Sequence, residues 1–194
     1  MTSMPVDVTK RKWVVAITKL LGLLGLAGLF YPLLKYLSPS KEARAQGGPV
    51  RVDLSTMKIG EQKTIVWRGK PVWVVRRSKE DIARLPALNG YLRDPLSTID
   101  QQPSYAKNIN RSVRPDFLVL LGVCTHLGCA PTYRPEPGAV DAAWPGGFYC
   151  SCHGSRFDLA GRVFKDMPAP TNLEVPPYRF EQDVLIIGED VAAM

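Results

Sequence analysis

With 194 residues, 45% of them hydrophobic, the chain has room for one medium-sized domain and a smaller appendage. Its 25 Lys and Arg outnumber 18 Asp and Glu, for a net charge of +7 at pH 7. These cations are spread along the chain rather than gathered in a basic patch interleaved with aromatics, which argues against nucleic-acid binding. Only four Cys and two His are present, so any soft-ligand or imidazole chemistry is confined to wherever those six residues fall.

Residues 1–12 are read as a short N-terminal segment ending in Lys10-Arg11-Lys12. From Trp13 to Leu37 the chain is almost wholly apolar, interrupted only by Lys19 and Lys35, and long enough to cross about 30 Å of hydrocarbon as a helix. Residues 13–37 are therefore predicted to form a single transmembrane anchor, with both lysine stems reaching toward an interface. Pro32 is a candidate kink, and Gly22, Gly25 and Gly28 offer a face for close helix approach. The basic triplet before the span predicts a cytoplasmic N-terminus and an exported body. Thr9-Lys10-Arg11-Lys12 also resembles a twin-arginine export signal with Lys in the first arginine position. A cleaved signal peptide is the competing reading, opposed by the length of the apolar run and the lack of a nearby small-residue cleavage site.

Residues 38–49, with Gly47-Gly48, have the small polar composition of a flexible hinge linker, and residues 50–194 are expected to form one all-β head. Lys63–Arg68 and Pro71–Arg76 read as a hairpin turning at Gly69-Lys70. Ser78 to Asp81 resembles a capping box opening a short helix that Pro86 stops. Residues 87–115 read as irregular. Phe117–Val123 reads as a buried strand running into Cys124, Phe148-Tyr149 leads into Cys150, Ala160-Gly161 turns between Arg156–Asp158 and Arg162–Phe164, and Val184–Ile187 closes the domain.

All six Cys and His sit in two stretches, Cys124-Thr125-His126-Leu127-Gly128-Cys129 and Cys150-Ser151-Cys152-His153-Gly154-Ser155. Soft and borderline ligands gathered in two loops argue for one composite metal site. One Cys and one His from each loop would make a symmetric Cys2His2 set, leaving Cys129 and Cys152 available for a disulfide in an oxidising compartment. Counting residues leaves a four-coordinate structural zinc site equally open.

The two stretches resemble the ligand loops of the Rieske iron-sulfur family, whose one 2Fe-2S cluster is held by two Cys and two His. Leu92-Arg93-Asp94-Pro95, Gly154–Asp158, Ala160-Gly161-Arg162 and Pro168–Pro176 are similar to the Rieske subunit of the bacterial cytochrome bc complex, ubiquinol-cytochrome c reductase. That resemblance implies an antiparallel sandwich with a small cluster-binding subdomain, on one membrane anchor. It implies Cys124, His126, Cys150 and His153 as the iron ligands and Cys129–Cys152 as a disulfide. The Ser155 hydroxyl is then expected to donate to the cluster, and Phe157, where relatives often carry Tyr, to lower its potential. Met167-Pro168-Ala169-Pro170 would cover the cluster, and His153 would meet the quinol. The implied function is electron transfer from quinol, ubiquinol by this resemblance, to a c-type cytochrome, in a dimeric multi-subunit complex with a cytochrome b subunit. The alternatives are an anchored Rieske carrier for another oxidoreductase, a plastoquinol-plastocyanin reductase, and a zinc-stabilised interaction domain. With both histidines used as ligands, none remains for a Ser-His-Asp triad or a mononuclear oxygenase iron.

Overall fold

The computed structural model describes residues 7–40 and 47–190. Residues 1–6, 41–46 and 191–194, which include half of the expected hinge, lie outside the described residues. The chain divides into two compact units, Met1–Ala45 and Gln46–Met194.

The first unit is one helix, α1 (Val8–Tyr36). Asp7 caps it, its carboxylate accepting from the Thr9 and Lys10 N–H groups, so the helix begins five residues before the apolar run and takes in the basic triplet. None of its side chains is buried, although Leu, Phe and Val surround it on all faces. An all-round apolar helix is suited to lipid, and its 29 residues rise about 43 Å at 1.5 Å each. It is long and apolar enough to cross a membrane. Pro32 lies within it, in its last turns.

The second unit contains three three-stranded antiparallel sheets. The first joins β1 (Val50–Asp53), β9 (Val184–Ile187) and β8 (Tyr178–Glu181), with β9 in the middle, so the two ends of the head are stitched together. The second joins β2 (Gln62–Trp67), β3 (Lys70–Arg76) and β4 (Phe117–Leu121). All five β4 residues are buried, as its unbroken apolar sequence requires. The third joins β5 (Thr132–Arg134), β6 (Gly147–Cys150) and β7 (Ser155–Phe157) and carries the second Cys/His loop. The expected all-β head is therefore observed.

Local differences have local causes. The β2–β3 turn falls on Arg68-Gly69 rather than Gly69-Lys70, because Trp67 pairs with Lys70 and both turn residues adopt positive φ, as a two-residue type I′ connection demands. The capping box at Ser78 and Asp81 is present and opens α2 (Lys79–Arg84), which continues as a 3-10 turn over Leu85–Tyr91. The stretch expected to be irregular is so apart from that turn and another at Ser104–Ala106.

What holds that stretch is three buried arginines. Arg77 donates to the carbonyls of Pro115, Asn110 and Leu159 and to the Ser112 hydroxyl. Arg111 donates to the carbonyls of Ala160 and Gly161 and to Gln102. Arg162 pairs with Asp158 at 2.7 Å and also reaches Asn89, Pro95 and Leu85. Burial lowers the Arg77 and Arg111 guanidinium pKa values to about 10, with Asp158 opposing the drop in both. These cations thus act as cross-braces, each donating to backbone carbonyls that no strand satisfies.

Candidate metal centre

The first Cys/His loop leaves the end of β4. Gly122 stands there because Trp73 packs onto it: a Cβ at this position would come within 2.4 Å of the indole. Trp73 in turn stacks on Phe148 of β6, with ring centroids 5.3 Å apart, so the second and third sheets meet directly below the loops. Cys124 N–H donates to the Cys129 carbonyl at 2.7 Å, and Gly128 N–H to the Cys124 carbonyl at 3.0 Å. The loop therefore closes on itself and pushes Thr125, His126 and Leu127 outward.

The second loop caps the β6–β7 hairpin, in which Cys150 pairs with Ser155. Gly154 N–H donates to the Cys150 carbonyl at 2.9 Å, and Gly154 takes φ +78°, a conformation that costs glycine little. A disulfide between Cys129 and Cys152, with Cα atoms 6.7 Å apart, ties the two loops together. The sulfurs of Cys129, Cys150 and Cys152 lie within 4.8 Å of one another. Two of the three are bonded to each other, so that trio reflects the disulfide lying beside Cys150 rather than a three-thiol ligand set.

The remaining four donors form two like pairs. Cys124 and Cys150 are free thiols, and both are buried. Burial pushes the Cys124 thiol up; the His126 N–H and the Ser155 hydroxyl pull it down by hydrogen bonding, while Cys150 adds to the rise. Two buried thiolates side by side need a cation between them. His126 and His153 stand edge to face with ring centroids 4.7 Å apart. His126 Nδ1 is buried without a hydrogen-bond partner, the atom a metal would satisfy, whereas His153 is exposed. Two sulfurs on one side and two imidazoles on the other suit a binuclear centre with mixed ligands, and the residues fit a [2Fe-2S] cluster of that kind.

Ser155 is fully buried, and its Oγ accepts from Ala169 N–H at 3.0 Å, which leaves its hydrogen for the sulfur side. Thr125 Oγ1 donates to the Thr171 carbonyl at 2.7 Å. These two bonds attach the segment containing Pro168, Ala169 and Pro170 to both loops. Phe157 is fully buried opposite Phe148 in the hairpin ladder. A cavity of about 590 Å³ bordered by Leu88, Tyr91, Pro145, Phe164 and Met167 includes none of the four donors. Sequence reading missed Thr125, Arg93 and Asn172. Each lies inside or beside a recognised motif, but its partners are groups tens of residues away or in another loop, which no local pattern records.

A family model for the Rieske [2Fe-2S] domain matches residues 48–178. The chain is 49% identical over 193 residues to the ubiquinol-cytochrome c reductase iron-sulfur subunit of Allochromatium vinosum, covering 98% of this chain and 93% of that one. It is 36% identical over 178 residues to the subunit of the same name from Bradyrhizobium diazoefficiens, covering 92% and 93%. Among solved structures, a chain of a hyperthermophilic respiratory Complex III superposes with a TM-score of 0.50 at 26% identity, covering 89% of this chain and 98% of that one.

Proposed function

Because this chain belongs to the Rieske [2Fe-2S] family, we propose that Cys124 and Cys150 hold one iron of its cluster and that His126 and His153 hold the other. One [2Fe-2S] cluster is its cofactor, and the chain is the iron-sulfur subunit of a ubiquinol-cytochrome c reductase, an oxidoreductase complex. When bound, such a cluster supplies a one-electron acceptor of raised potential, because neutral imidazole replaces anionic thiolate on one iron.

The residues of the chain do the rest. His153, the exposed imidazole of the pair, would accept a hydrogen bond from the quinol hydroxyl and then take its proton. Leu127, 71% exposed and next in sequence to His126, presents an apolar surface for the rim of a quinol pocket formed with a cytochrome b subunit. The Cys129–Cys152 disulfide and the Pro168–Pro170 segment exclude water from the buried sulfurs. The electron passes to a c-type cytochrome, and the proton leaves on the periplasmic side of a bacterial inner membrane, in which α1 is the single-pass anchor. The complex is a multi-subunit dimer, and residues 38–49 are the hinge on which the head, residues 50–194, travels between partners.

The observation that carries this reading is the pairing of an exposed His153 with the buried, unpartnered Nδ1 of His126, two imidazoles in contact beside two buried thiols. Deleting the chain from its own organism should abolish quinol-dependent reduction of c-type cytochromes in isolated membranes, and restoring it should bring the rate back. Full reduction in membranes lacking the chain would contradict the assignment.

A further inference from the structure

The segment from Met167 to Val175 that covers the two ligand loops has no strand or helix of its own. Such a segment has low local stability unless side chains tie it down. Its inner ties, to Ser155 and Thr125, run to the loops themselves. Its outer ties run to a different part of the chain, the stretch from Arg93 to Gln101. Arg93 Nη2 donates to the Met167 carbonyl at 3.0 Å, and Nη1 lies 3.5 Å from the Pro170 carbonyl. Asn172 is 1% exposed; its Nδ2 donates to the Asp94 carbonyl at 3.0 Å and approaches Ser97 Oγ at 3.4 Å, while its Oδ1 accepts from Val163 N–H at 2.9 Å. Val175 N–H donates to the Gln101 carbonyl at 2.9 Å. The bracket is itself stiff, because the Asp94 carboxylate accepts from the Thr98 and Ile99 N–H groups.

We propose that Arg93 and Asn172 are positioning residues for the metal centre: they clamp the covering segment from outside and thereby fix the direction of the Ser155 hydroxyl. The link runs through Ala169, whose N–H occupies the acceptor side of Ser155 Oγ and so leaves the hydroxyl hydrogen aimed at the sulfur side. When the clamp is released, the covering segment shifts, the hydroxyl is free to rotate off the sulfur side, and the centre opens to a chelator. A reduced centre, more negative than the oxidised one, then loses a donor, so its potential falls. This inference rests on the proposed ligand set.

The test uses Arg93→Ala, Arg93→Lys and Asn172→Ala in the purified membrane complex. Hydrogen exchange by mass spectrometry over residues 167–175, the midpoint potential, and the rate of iron loss to a chelator are read together. Arg93 is exposed, so its variants fold even where the buried Asn172→Ala does not. Arg93→Ala should speed exchange over 167–175 by about fivefold or more, the effect of losing a typical hydrogen bond, and leave the hairpin at 62–76 unchanged. It should also lower the potential and hasten iron release. Arg93→Lys should restore part of each effect, since an ammonium reaches one carbonyl where the guanidinium fork spans two. Wild-type exchange in Arg93→Ala would overturn the proposal, as would faster exchange with an unmoved potential and unchanged iron release. A wild-type complex with no cluster signal would instead refute the ligand set, and the exchange rates would still decide whether the bracket holds the segment.

Discussion

Phe157 occupies a position, two residues after Ser155, where a side-chain hydroxyl would change the chemistry. It is fully buried, part of the core, and pairs with Phe148 in the hairpin that carries the second ligand loop. Introducing Tyr there places a donor in an apolar setting, where it stabilises the more negative reduced centre if it reaches a ligand sulfur. Phe157→Tyr should therefore raise the midpoint potential in a redox titration, and a potential at or below that of the wild type would contradict this. Asp94 is a second residue whose surroundings set its protonation. Burial acts to raise its pKa, but the Thr98 and Ile99 N–H groups and the Thr98 hydroxyl outweigh burial and hold the carboxyl below its ordinary value of 3.8. A carboxyl lowered on folding contributes stability that is fully present above its unfolded pKa and lost as the pH falls through the folded value. Asp94→Asn should cost about 1–2 kcal/mol near neutral pH, the worth of hydrogen bonds to a charged acceptor. In urea unfolding followed from pH 7 down to 2, that difference should hold steady until about pH 4 and then shrink. A difference independent of pH would contradict the assigned role.

At the scale of elements, the buried pair Asp158–Arg162 joins the end of β7 to the irregular stretch. Both side chains are fully buried, so removing the carboxylate strands a cation with no solvent. Asp158→Ala should destabilise the head by about 3–5 kcal/mol in calorimetry, whereas breaking the exposed Arg51–Glu181 pair, screened by solvent, should leave stability nearly unchanged. Comparable losses from the two would contradict this reading. The same contrast explains what was legible in the sequence. Runs such as Thr64-Ile65-Val66-Trp67 and Phe117–Leu121 disclose strands because their pattern is local. Ser78 and Asp81 disclose a helix start for the same reason. The placement of residues 87–115 depends on Arg77, Arg111 and Arg162 bonding to carbonyls tens of residues away, and no periodicity records that. The β2–β3 turn was displaced by one residue because Arg68 takes φ +50°, a conformation its side chain type seldom adopts. Strand β9 was legible from Val184 to Ile187, but its short partners β1 and β8 are defined by pairing across the two ends of the head.

For the whole molecule, α1 is long and apolar enough to anchor the chain in a membrane, the head carries the proposed metal centre, and the chain between them is proposed to act as a hinge. Shortening residues 40–48 should slow electron delivery to the c-type cytochrome while leaving the cluster's own signal intact, as read by flash or stopped-flow kinetics on the assembled complex. Undiminished turnover would contradict a travelling head. The Cys and His residues told most at this scale: confined to two loops, they pointed to one site from the sequence, and the structure brings two thiols, two imidazoles and a disulfide together there. The division of labour among them was carried by resemblance, since spacing alone left zinc open. Electron paramagnetic resonance on the reduced complex, with nitrogen couplings resolved by pulsed methods, tests that division most directly. The predicted result is a rhombic Rieske-type signal coupled to two histidine nitrogens, with the signal lost in His126→Ala and in His153→Ala. A diamagnetic, zinc-loaded protein, or a reduced cluster showing no histidine coupling, would contradict it.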